Sequence, residues 1–183
     1  LKNIIKTLFI IALFILIYSC SSSVNTEKNN QSSEYFPLEV GNQWEYYYFN
    51  NDTLTHRQKI LEEISIDGKK YFIRGEGNEL SSKDTLRFYD DVICIRENGF
   101  DRNWFDFSKD NNERYKLGKT EVLVEKNLKI TTKAGEFNDC VGFHFNDPKI
   151  YDDEISYYFA KGVGIVQIKG AWVNMMLREF KVN

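Results

Sequence analysis

The chain has 183 residues, a formal charge of −3, 15% aromatic residues and two prolines. Such a length fits a single domain once any N-terminal leader is set aside, and the acidic balance argues against a nucleic-acid partner, whose phosphates demand a cationic surface. Acidic and basic residues are interspersed without long blocks, the pattern of a solvated face.

At the N-terminus, Lys2 and Lys6 precede an unbroken apolar run from Leu8 to Ile17. Ten residues are too few for a membrane-spanning helix, which needs roughly 20, and the arrangement predicts a signal peptide. The run ends in "IYSC". The placement of Cys20 resembles a bacterial lipobox, with Ser19 the typical small residue, although Ile17 stands where Leu is usual and Tyr18 is bulky. The resemblance implies that Cys20 carries a diacylglyceryl group on sulfur, that cleavage removes residues 1–19, and that the new amino group is acylated. Ser21 stands where an inner-membrane sorting aspartate would sit, which implies the outer membrane, facing the periplasm. Each buried lipid methylene contributes about 0.8 kcal/mol, so two or three chains hold a protein permanently. A plain cleaved signal with an incidental cysteine, and a short retained hydrophobic helix, are the competing readings. Loss of Lys2 and Lys6 would take the net charge down by two, to −5.

The lipidated cysteine opens a polar, low-complexity stretch, residues 20–34, read as a flexible tether; about 14 such residues span on the order of 20 Å. Residues 35–183 are expected to form one β-rich envelope domain, being rich in Tyr, Phe, Val and Ile and punctuated by Gly, Asn and Asp. The first strand is expected over Trp44–Phe49, with Trp44, Tyr46 and Tyr48 on one face and Tyr47 and Phe49 on the other. Asp67-Gly68 predicts a two-residue hairpin turn that sets Ile66 opposite Lys69 and Ile64 opposite Tyr71, with Ile60, Ile64, Ile66, Tyr71 and Ile73 sharing a face. A strand over Thr85–Tyr89 follows. Asn98-Gly99 predicts a second hairpin aligning Ile95 with Arg102 and Ile93 with Trp104, and an apolar face of Ile93, Ile95, Phe100 and Trp104. Residues 108–121 lack periodicity and read as a long loop. Further strands are expected over Val122–Thr132, Cys140–Phe145, Ser156–Phe159, Val163–Ile168 and Trp172–Val182. The sum is an all-β single domain of about nine or ten antiparallel strands, arranged as a curved sheet, an incomplete barrel or a sandwich.

Three blocks, "YFPLEVGNQWEYYY" at 35–48, "KAGEFNDCVGF" at 133–143 and "YYFAKGVGIVQI" at 157–168, resemble a group of uncharacterised β-rich bacterial envelope lipoproteins. The resemblance implies a β fold related to half-barrel lipoprotein carriers and no assigned reaction. Its glycines and Pro37 read as shaping bends.

The residues offer little for catalysis. Only His56 and His144 are present, with no G-x-S-x-G, H-E-x-x-H or C-x-x-C. Cys140 and His144 share a strand face, but i and i+4 lie about 13 Å apart in a strand, beyond proton-transfer range. Asp147, Asp152, Asp153 and Glu154, or Asp106, Asp110 and Glu113, do not follow calcium-loop spacing and read as solvated turns. Cys94 and Cys140 lie in apolar segments and are read as free, buried thiols, a bridge being the alternative. No catalytic residue, metal site or cofactor is therefore expected. The functional reading is a lipid-anchored, non-enzymatic envelope protein whose β-domain binds a partner protein or an apolar ligand; an envelope hydrolase acting on glycan or lipid, and a purely structural lipoprotein, are the alternatives. Besides the lipid attachment at Cys20, the candidate ligand-lining residues are Ile64, Tyr71, Ile93 and Trp104, with core packing as their other role.

Overall fold

The computed structural model describes residues 31–147, 149–150 and 154–183. The signal segment, Cys20, the tether up to residue 30, Pro148, Asp152 and Asp153 lie outside the described residues.

One helical turn, α1 (Gln31–Tyr35), precedes the strands β1 (Gln43–Tyr48), β2 (Asn51–Ile66), β3 (Lys69–Glu76), β4 (Ser82–Tyr89), β5 (Val92–Glu97) and β6 (Phe100–Asp106). They are followed by β7 (Arg114–Leu117), β8 (Thr120–Thr132), β9 (Gly135–Asn146), β10 (Ile155–Ala160), β11 (Gly164–Gly170) and β12 (Asn174–Lys181). All pairs are antiparallel, and the chain meanders except that β1 also pairs with β12. The strands of the described residues therefore form one 12-stranded sheet with β6 and β7, neighbours in sequence, as its two edges. It curls into a nearly closed barrel whose single seam lies between them.

A side chain bridges the seam in place of a ladder. The Tyr115 hydroxyl donates to the Trp104 carbonyl at 3.3 Å and accepts from the Asp106 amide at 3.4 Å. Its strand, β7, lies inside the segment expected to be a loop; four residues are too few for alternation to stand out against a polar background. Strand β2 likewise begins at Asn51, well before the apolar positions that make it legible.

Both predicted hairpin turns form, with positive φ at Asp67, Gly68, Asn98 and Gly99. Ile66 faces Lys69 and Ile64 faces Tyr71 as expected, and Ile95 faces Arg102. Two bulges then change the faces. Between Ile60 and Glu62 the register shifts, so Ile60 enters the core while Ile64 and Tyr71 lie on the outer face. Between Ile93 and Cys94 a second shift pairs Ile93 with Phe105 rather than Trp104. An extra residue on one strand turns every later side chain to the opposite face, and sequence alternation alone does not locate it.

In a meander, turns after odd strands share one end and turns after even strands the other. The even end is closed. There Gln31 N donates to Asp91 Oδ1 at 2.7 Å, Ser32 Oγ to the Asp90 carbonyl at 3.0 Å, and Gly162 N to the Glu34 carbonyl at 2.6 Å. Tyr35 stacks on Phe107 with ring centres 5.3 Å apart. Phe36, fully buried, packs on Trp44 and Phe159 with centres 5.4 and 5.7 Å away. Deeper in, Phe105 meets Phe143 and Phe159 edge to face at 5.2 and 4.8 Å, joining β6 to β9 and β10 through the interior. Gly164 has φ +110°, and a Cβ there would stand 3.0 Å from Trp44 Nε1, so the indole's approach requires glycine.

Candidate functional site

At the odd end the interior is not filled. A cavity of about 360 Å³ opens between two unlike walls, at the small end of ligand pockets. Strands β2 to β6 supply a polar wall that includes Gln58, Arg74, Glu76, Asp84, Glu97 and Arg102. Opposite, β10 to β12 and their connection supply an apolar wall of Ile155, Tyr157, Ile168, Val173 and Met175. Trp104 lies at the base between them, its ring centre 5.9 Å from that of Tyr157.

The polar wall is a connected network. Tyr46 donates to the Ile165 carbonyl at 3.0 Å and reaches Gln58 Oε1 at 3.5 Å; Gln58 Nε2 donates to Glu76 Oε1 at 2.9 Å. Arg74 Nη2 then bridges Glu76 at 2.7 Å and Asp84 at 2.6 Å. Register explains the cluster: Arg74 pairs with Asp84 across β3 and β4, Glu76 follows Arg74 by two and so shares its face, and Gln58 pairs with Glu76. Arg74 is 2% exposed, its guanidinium carbon 5.1 Å from the Trp104 ring centre, and its Nε and Nη1 have no hydrogen-bond partner among the described residues. Burial lowers the pKa of His56, with Arg74 acting in the same direction and Glu76 opposing, so the imidazole at this wall favours its neutral form. Burial likewise raises the Tyr157 and Tyr46 phenols and keeps both protonated.

Of the four sequence-proposed lining residues, the structure brings Trp104 to the cavity. Ile93 is fully buried in the core. Ile64 faces outward, and Tyr71, on the same face but only 1% exposed, is buried beneath Arg87 and Arg96, its hydroxyl donating to Asp101 at 2.9 Å and accepting from Arg96 at 3.2 Å. Arg74, Glu76 and Asp84 escaped the sequence reading because the bulge at Leu61 exchanges the faces of β2 against β3. The one available signal was the even-position run Phe72, Arg74, Glu76, whose apolar start continues into the barrel.

A second constellation lies on the outer face. His144 Nε2 meets Glu125 Oε2 at 2.8 Å and His144 Nδ1 meets Ser156 Oγ at 2.9 Å. Three adjacent strands, β8, β9 and β10, place the row. A serine nucleophile needs free donors for the oxyanion, whereas Ser156 lies in a central strand paired on both sides. The row acts as a staple across the sheet. His144 does not pair with Cys140, whose sulfur donates to the Phe137 carbonyl at 3.5 Å. Among the described residues Cys94 and Cys140 are both free of a disulfide, and both are buried. Among the described residues no group of acidic, His or Cys side chains is arranged to hold a metal ion.

The rim of the open end is apolar in places. Phe49, Phe100, Ile150 and Trp172 lie in or beside its turns and are exposed, Trp172 to 87%.

No protein-family model matches the chain, and no curated protein matches its sequence. Two solved structures resemble it. A candidate exported protein with a YmcC-like fold from Bacteroides fragilis has a TM-score of 0.49 and 14% identity, covering 80% of this chain and 98% of that one. A candidate lipoprotein from Parabacteroides distasonis has a TM-score of 0.45 and 14% identity, covering 80% and 97%.

Proposed function

We propose that the chain is a lipid-anchored, non-enzymatic envelope protein, held through Cys20, whose barrel takes an amphipathic ligand into its open mouth. The observation that carries the reading is the asymmetry of the barrel. The segment leading from the tether plugs the even end with Phe36, while the odd end keeps a cavity with one polar and one apolar wall. An anchor entering at the plugged end would direct the mouth away from the anchoring membrane and leave it free to load.

The test is native mass spectrometry of the full chain extracted into mild detergent. A bound amphiphile is expected in wild type and is expected to be lost in Ile168→Trp, which fills the cavity from its apolar wall. Absence of any adduct in wild type, with the mouth still accepting no added amphiphile, refutes ligand carriage. A partner protein docked at the mouth is the second reading, favoured by the exposed Trp172 and Phe100 at the rim. Under that reading, Trp172→Ser abolishes co-isolation of the partner and leaves small-molecule binding unchanged.

A further inference from the structure

We infer that the polar wall of the mouth selects a neutral head group that both accepts and donates hydrogen bonds, so that the ligand is a neutral polar amphiphile such as an acylglycerol and not a free fatty acid. The inference rests on the ligand-binding reading above. Arg74 lines the cavity while 2% exposed, and its Nε and Nη1 lack partners among the described residues. Leaving buried guanidinium N–H groups unmade is costly, so the site calls for an acceptor.

Charge decides which acceptor. The lining holds three carboxylates, Glu76, Asp84 and Glu97, against two guanidiniums, Arg74 and Arg102. Arg74 is already shared between Glu76 and Asp84 through Nη2, and Arg102 is paired with Glu97 at 2.8 Å. An incoming carboxylate would meet cations that are already compensated and add like charge in a partly desolvated site. Neutral His56 supplies no further cation. A hydroxyl has no such penalty: its lone pairs accept from Arg74, and its hydrogen goes to a remaining lone pair of Glu76 or Asp84. The acyl tail then lies along Ile155, Ile168 and Met175, with Trp104 at its base.

The experiment compares two probes of equal chain length, octanoylglycerol and octanoate, titrated at pH 7 against the tryptophan fluorescence of the full chain held in amphipol. Octanoate is ionised at that pH, since carboxyl groups titrate at roughly 4 to 5. Octanoylglycerol is expected to bind about tenfold more tightly or better. In the Glu76→Gln/Asp84→Asn double variant the ratio is expected to fall to within about twofold or to invert, because the repulsion is gone while acceptors remain. Asp84→Asn alone, at a carboxylate 27% exposed, keeps the Glu76 bridge to Arg74 and narrows the ratio in a variant that disturbs the fold less. Equal or tighter octanoate binding by wild type overturns the head-group inference and leaves ligand carriage standing. A ratio that does not change in Asp84→Asn also overturns it. No binding of either probe overturns both readings.

Discussion

Replacing Phe36 by Ala tests whether the segment before β1 is a structural plug. The side chain is fully buried. It packs on Trp44 and Phe159, and the Arg74 guanidinium lies 6.0 Å from its ring centre. Truncation loses the transfer free energy of the ring and leaves a cavity bounded by β-strands that cannot collapse inward, so the loss is expected in the usual range for such sites, about 3–5 kcal/mol. For a domain of this size each kcal/mol lowers the melting temperature by roughly 2–4 °C, giving a fall of about 6–20 °C. Urea unfolding followed by tryptophan fluorescence measures it, with an unchanged m-value showing that the native surface is otherwise kept. Phe100→Ala is the control: the ring is 78% exposed, and a change within about 0.5 kcal/mol is expected. A Phe36→Ala loss below about 1 kcal/mol would show that the barrel is stable with its even end open, and the plug argument would fail.

Gly68→Ala, in a turn with φ +72° and open space beyond, should lose about 1 kcal/mol of stability from backbone strain alone. Gly164→Ala should lose clearly more, because its Cβ also meets Trp44 and Phe36; equal losses at the two sites would refute the close-approach account. The Cys140 thiol, pushed up to about 11 by burial, should react with a thiol-specific disulfide at pH 8 no faster than the protein unfolds, and rapid labelling of the folded protein would contradict that burial. Cys20→Ala should abolish metabolic labelling with a fatty acid and leave an uncleaved precursor on a gel; normal cleavage with release from membranes would remove the anchor from the functional proposal.

The sequence by itself determined the class of fold, most of the strands and the two tight hairpins, because each rests on interactions within a few residues. Asp67-Gly68 and Asn98-Gly99 are residue pairs that tolerate positive φ, as both adopt here, and that local preference set the pairing of Ile64 with Tyr71 and of Ile95 with Arg102. Tertiary structure decided the rest. The pairing of β1 with β12 joins residues more than a hundred positions apart, and no local pattern encodes which edges meet. The two bulges decided which face of each hairpin lies inside, and hence that Arg74, Glu76 and Asp84 line the mouth while Ile64 and Tyr71 do not. The His144 row with Glu125 and Ser156 likewise depends on the alignment of three strands. Alternation tells a strand that it has two faces, but only the closed curvature of the whole sheet, in which one added residue reverses inside and outside, determines which face becomes the interior.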